Sequence, residues 1–241
     1  MATTREPLVN FYELSGPQSW SPACWNTRYA LNFKGIPFKT IKLSYPAIKP
    51  KCEELLGDLT GLEATVPIIE ILGDNHKALN DSIPIAELLN ERFTEADGFR
   101  HLEGLDNIRE YEKQCSIHER ALGRWILNDV YENSLDKEDG SREYFKSTRE
   151  ARLKCPLPDI MEKLGGGEEA SLQKIRENWL PLKERMKNED GTSEPTYLDF
   201  YDAGNVKWTQ CASLEKYEKL MNLYGDDTFV KLMKKVEKYS A

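Results

Sequence analysis

The chain is 241 residues long and acidic, with 41 Asp and Glu against 33 Lys and Arg and a formal net charge of −8. That balance, without a basic cluster, excludes a nucleic-acid phosphate backbone as the main partner. No apolar run approaches the roughly 20 residues of a membrane span and no apolar leader core follows Met1, so a cytoplasmic protein with no membrane partner is expected. Five scattered cysteines and three histidines (His76, His101, His118) lack the spacing of a zinc site, so no metal is expected.

Residues 8–14 have strand composition, and Ser15-Gly16-Pro17-Gln18 breaks them. The next stretch, Ser19-Trp20-Ser21-Pro22-Ala23-Cys24-Trp25-Asn26-Thr27-Arg28, reads as a loop feeding a helix. An exposed Ser21 can cap free backbone N–H groups, and Pro22 at the first helical position sacrifices no hydrogen bond. Trp25, Tyr29 and Phe33 recur every four residues until Gly35-Ile36-Pro37 ends the helix. Residues 38–43 alternate apolar and polar, which completes a βαβ unit with parallel neighbouring strands. Tyr45-Pro46 reads as a break, with a short helix over 51–56.

Residues 66–72 and 76–80 read as a hairpin about the turn Gly73-Asp74-Asn75. Pro67, at the mouth of this hairpin, is a position that can carry a cis bond. Asp81-Ser82-Ile83-Pro84 is a capping signature ahead of a helix with Ile85, Leu88, Leu89 and Phe93 on its apolar face.

Beyond Phe93 strand character ends. Residues 94–98 form a linker. Residues 105–131 hold Leu105, Ile108, Tyr111, Cys115, Ile117, Leu122, Trp125, Ile126 and Val130 at helical spacing. Residues 142–164 look helical but must be interrupted by Pro156 and Pro158. Gly165-Gly166-Gly167 reads as a stop, 172–186 as another helix, and 214–239 as one or two more. Thr196-Tyr197-Leu198-Asp199 has the capping-box arrangement, an acidic side chain three residues after a Thr. The expected architecture is therefore a β-α-β-α-β-β-α domain over residues 1–95 and an all-α domain over 102–241.

Ser21 and Cys24 stand one turn apart at a helix N-terminus, which suits a sulfur anion. Taken alone, these residues leave open whose sulfur it is. A helix N-terminus favours an anion by about 0.3–2 kcal/mol, and a hydrogen bond to a charged group adds about 1.5–3 kcal/mol. Together they lower a thiol pKa by about 1–3, enough at the upper end to make a bound thiol mainly thiolate at neutral pH. A covalent serine nucleophile would need an adjacent base, and no His lies nearby in the sequence.

These pieces, in this order, resemble the cytosolic glutathione transferases. Ser21-Pro22-Ala23-Cys24 with Arg28 resembles that family's active-site opening, Thr65-Val66-Pro67 its strand entry with a cis proline, Asp81-Ser82 its glutamyl-binding pair, and Thr196 to Asp199 its capping box. Trp20-Ser21-Pro22 with Trp25, followed by Arg28 to Gly35, looks most like the fungal-specific and etherase-related serine-type classes. The resemblance implies a thioredoxin-like α/β first domain, an all-α second domain and a homodimer.

It also implies glutathione as co-substrate, with Ser21 as hydrogen-bond donor to its thiolate, Val66 and Pro67 at its cysteinyl part, and Asp81 and Ser82 at its glutamyl end. Trp20, Trp25, Tyr111, His118 and Trp125 would flank a small hydrophobic or aromatic second substrate, and Lys49 or Lys51 would reach the glycyl carboxylate. The expected reaction is conjugation or reductive ether cleavage, in detoxification. Two alternatives stand beside it: a ligandin-type protein that holds aromatic compounds, and a glutathione-dependent thiol oxidoreductase using Cys24.

Overall fold

The computed structural model describes residues 6–61, 63–73, 77–115 and 121–241. Its first domain is built on a four-stranded mixed sheet in the order β2-β1-β3-β4. β1 (Val9–Leu14) is central and almost wholly buried. It pairs in parallel with β2 (Phe38–Leu43) and antiparallel with β3 (Ile68–Ile71), which carries β4 (Lys77–Asn80) on its far edge. α1 (Pro22–Lys34) connects the two parallel strands, as a βαβ crossover must.

The break expected at Tyr45-Pro46 is instead the start of α2 (Tyr45–Leu56). Ser44 is its N-cap, and Pro46 falls in the first turn, where no intrahelical N–H is needed. α3 (Ser82–Arg92) closes the domain against α1. The predicted turn residues Asp74 and Asn75, with His76, lie outside the described residues.

The second domain is helical: α4 (Leu105–Cys115), α5 (Ala121–Asn133), α6 (Ser141–Leu153), α7 (Gly167–Asn178), α8 (Leu180–Met186), α9 (Tyr197–Ala212), α10 (Leu214–Met221) and α11 (Thr228–Val236). α6 stops at Leu153, short of Pro156, and a 3₁₀ turn and a π turn carry the chain to Gly165. Gly165-Gly166-Gly167 is more than a stop, because Gly166 (φ 85°) closes the π turn and caps α7. The helix expected over 172–186 is two, parted at Trp179, with Pro181 in the first turn of α8. Ile117, His118 and Arg120 lie outside the described residues. No helix among the described residues is long and apolar enough to cross a membrane.

The domains meet where α1 crosses α9. A Cβ at Gly204 would stand 2.7 Å from the Pro22 carbonyl oxygen, so the missing side chain is what lets the first turn of α1 reach α9. Tyr29 of α1 stacks on Phe200 of α9 at 5.4 Å, and Phe33 meets the same ring edge-on at 5.8 Å. The apolar face predicted from the four-residue recurrence in α1 is therefore buried against the helical domain.

Candidate active site

Strand direction brings the distant motifs together. Leu14 pairs with Leu43, Tyr12 with Ile68, and Ile68 with Asn80. The ends of β1, β2 and β4 and the start of β3 thus share one end of the sheet. That end carries the loop to Ser21, the start of α2, the Val66-Pro67 entry and the Asp81-Ser82 turn.

Ser21 is the N-cap of α1, and its Oγ accepts from the Cys24 N–H at 3.5 Å. Accepting through a lone pair leaves the hydroxyl proton available to donate. The side chain is buried, with 8 % of the residue exposed, rather than open as expected. Its loop is folded down: the Trp20 indole N–H donates to the Ser15 carbonyl at 3.1 Å, and the Trp25 indole N–H donates to the Ser19 carbonyl at 3.0 Å. Cys24 is also buried, and burial together with the Glu13 charge pushes its thiol up to about 12. It is a neutral thiol at physiological pH.

Beneath this turn lies an ionic cluster that the sequence reading missed. Glu13 is 1 % exposed, and its Oε1 accepts from Arg28 at 2.7 Å, Lys42 at 2.6 Å and Ser19 Oγ at 2.7 Å. The two cations compensate the buried carboxylate and tie the loop at Ser19 to the end of β1 and the middle of α1. The available signal was an acidic residue in the otherwise apolar end of β1.

The Val66-Pro67 bond is cis. Val66 lies just outside the paired run of β3, so the ladder does not consume its main chain. The Asp81 N–H donates to the Pro67 carbonyl at 3.2 Å and ties the two motifs to each other. Asp81 has a left-handed backbone (φ 74°) and makes no capping bond, contrary to the capping signature read from the sequence. Its exposed carboxylate is held away from the α3 amides. Ser82 is buried, and its carbonyl accepts from the Tyr197 hydroxyl at 2.8 Å. Glu112 of α4 also senses this turn: burial, and then the Asp81 charge, raise its pKa.

The aromatic residues expected around a second substrate are not one wall. Trp20, Trp25, Tyr111 and Trp125 are all buried, and among the described residues no ring contact joins any two of them. Trp20 lies beside Tyr45 at 6.3 Å. The Tyr111 hydroxyl donates to Asp202 at 2.6 Å, and the Trp125 indole N–H donates to Glu168 at 3.3 Å. They are dispersed because helical spacing identifies an inward face without saying which helix it meets. Lys49 and Lys51 pair with Glu53 and Glu54 within α2. Among the described residues no group of His, Cys, Asp and Glu is placed to hold a metal ion.

Residues 20–92 match the family described as glutathione S-transferase, N-terminal domain, and residues 118–239 match glutathione S-transferase, C-terminal domain. The glutathione S-transferase-like protein ustS of Aspergillus flavus is 24% identical over 92% of this chain and 88% of its own. A glutathione S-transferase of Ceriporiopsis subvermispora, solved in complex with glutathione, superposes with a TM-score of 0.81 at 25% identity, covering 97% of this chain and 98% of that one. Glutathione transferase GSTFuA2 of Phanerochaete chrysosporium gives 0.79 at 24% identity, covering 98% and 99%. With both domains matched and the C-terminal match alone spanning half of the residues, the chain belongs to the glutathione S-transferase family.

Proposed function

We propose that the chain conjugates glutathione to a small hydrophobic, aromatic electrophile, with the Ser21 hydroxyl donating to the glutathione thiolate. One observation carries the assignment: Ser21 caps α1 at the same sheet end as the cis Val66-Pro67 entry and an Asp81 carboxylate not spent on capping. The incoming thiol would meet the α1 dipole and the Ser21 donor, both of which favour the anion. The main chain of Val66 would pair with the cysteinyl backbone as an added strand does. Asp81 would accept the glutamyl ammonium, with Ser82 beside it and Glu112 adding negative charge from α4.

The thiolate would then attack the electrophilic carbon, its lone pair forming the C–S bond as the leaving group departs with the bonding electrons. Conjugation and reductive ether cleavage share this first step. Burial of Cys24 as a neutral thiol counts against a thiol oxidoreductase built on it. We place the working units at residues 1–95 and 102–241, and assign a cytoplasmic homodimer acting in detoxification.

Ser21→Ala tests the assignment with glutathione and chlorodinitrobenzene. Losing a hydrogen bond to a charged group costs about 1.5–3 kcal/mol, so turnover at neutral pH falls by about 10- to 150-fold. Glutathione binding should change little. Turnover equal to that of the parent would remove Ser21 from the chemistry.

A further inference from the structure

The two segments that flank Ser21 are held from outside the first domain. One is the β1–α1 loop, residues 15–21, and the other is the start of α2 at Tyr45. Both are tied to the same short stretch of the helical domain, residues 134–141, which runs from the end of α5 into the first residue of α6. The Ser15 hydroxyl donates to Asp139 Oδ2 across 124 positions of sequence, and the Tyr45 N–H donates to Ser141 Oγ at 3.0 Å across 96. The Ser141 N–H donates in turn to Asp139 Oδ1 at 2.9 Å, so one carboxylate joins the two attachments. Burial works against its charge, but the bonds from Ser15 and Ser141 outweigh that and hold its pKa below the usual range.

The first attachment leads to Ser21. A Cβ at Gly16 would collide with the Ser134 carbonyl oxygen and stand 3.0 Å from Trp20 Cδ1, so Gly16 is pressed between the helical domain and the Trp20 indole. That indole N–H donates to the Ser15 carbonyl at 3.1 Å. The residue that Asp139 holds is therefore the one on which Trp20 folds back, and Ser21 follows Trp20 in the chain. The second attachment answers a local deficit. The N–H groups of a first helical turn need partners from outside it, and Ser44, the N-cap of α2, makes no side-chain bond. Ser141 supplies a partner from the other domain. The Tyr45 ring also stacks on Tyr144 of α6 at 5.6 Å, and Arg149 Nη2 donates to its hydroxyl at 3.3 Å.

We propose that Asp139 is a positioning residue for the thiolate chemistry: through Ser15 and Trp20 it fixes where the Ser21 hydroxyl meets the glutathione sulfur. The inference rests on Ser21 donating to that thiolate. A displacement of about 1 Å at a reacting group can cost ~100-fold in rate, so a contact this far from the sulfur has leverage on it.

The test titrates the ultraviolet thiolate absorbance of glutathione bound to the full chain. In Asp139→Ala the apparent pKa of the bound thiol should rise by at least about 0.5, and kcat with chlorodinitrobenzene below that pKa should fall by at least about threefold. Removing a negative charge would by itself favour the thiolate, so a rise reports lost alignment and not lost charge. Ser15→Ala should give the same shift, and the double variant no more than either single one, because both break the same contact. Asp139→Asn, whose carboxamide can still bond Ser15 and Ser141, should stay near the parental pKa. A parental thiol pKa in Asp139→Ala, or additive shifts in the double variant, would overturn the proposal. Ser21→Ala, titrated beside them, separates the two readings. A parental pKa there removes Ser21 and this route with it, whereas a raised one beside a parental Asp139→Ala removes the role of Asp139 alone. Should Asp139→Ala fail to fold, Ser15→Ala, at a partly exposed position, decides.

Discussion

The Tyr197 hydroxyl donates to the Ser82 carbonyl at 2.8 Å, joining the first residue of α9 to the first residue of α3 across 115 positions of sequence. Tyr197 is fully buried, and its neighbour Thr196 is the N-cap that Asp199 closes as a capping box. The helical domain thereby holds the turn that presents Asp81. Tyr197→Phe removes this bond while the Ser82 carbonyl keeps its place in the first turn of α3, at a net cost of about 0.5–1.5 kcal/mol. We expect Tm to fall by roughly 2–4 °C per kcal/mol for a chain of this size. The glutathione KM should rise while kcat holds. A Tm loss with KM unchanged would make the contact purely structural.

Asp199 is held by more than its cap. Burial raises its pKa, but Arg185 at 2.6 Å and Lys235 at 3.1 Å outweigh that and hold the carboxyl below the usual range. A depressed folded-state pKa gives stability that is present above the unfolded pKa of about 3.9 and lost as pH falls below it. Asp199→Asn should therefore be less stable than the parent at neutral pH, and the gap should narrow on acidification below about pH 4. Denaturant titrations of both proteins across that range check the sign; a gap that stays constant would deny the linkage.

Cys24 should be chemically silent in the native protein. With its thiol at about 12, against about 8.5 in the unfolded chain, iodoacetamide at pH 8 should label it only after denaturant is added. The raised pKa contributes stability below about pH 8.5 that is lost as pH climbs towards 12. Cys24→Ser should leave conjugation near the parental rate. A large drop in kcat with the fold intact would restore the thiol to the mechanism.

Lys34 gives the opposite sign. It is 2 % exposed, donates to Asn90 Oδ1 at 2.8 Å and to the Arg100 carbonyl at 2.6 Å, and burial lowers its pKa to about 8. Between pH 8 and the unfolded value of about 10.4 the unfolded chain binds more protons, so this group makes stability rise with pH across that window. Subtracting the Lys34→Met curve from the parental one isolates the effect. A difference that is flat from pH 8 to 10 would remove it.

Much of the site was legible because its signals are local. The Ser21-Pro22 helix start depends on residues within one turn of each other, and Ser21 is the N-cap the sequence indicates. The Thr196 N–H donates to Asp199 at 2.8 Å, as the spacing of the capping box requires. At Tyr45-Pro46 the local signal was ambiguous, since a proline both ends helices and opens them. Asp81 was misread because Asp before Ser commonly caps, whereas here a left-handed backbone turns its carboxylate outward.

The sequence by itself determined the order of elements, the apolar faces and the capped helix start at Ser21-Pro22, since periodicity and capping act over a few residues. Only the tertiary structure decided that Cys24 is a buried neutral thiol, that Glu13 sits between Arg28 and Lys42, and that Tyr197 reaches Ser82. It also decided that Trp125 faces Glu168 and that Asp139 reaches Ser15. These outcomes depend on which faces meet and how much water is left between them, and residues brought together from 100 or more positions apart share no local pattern that could have announced it.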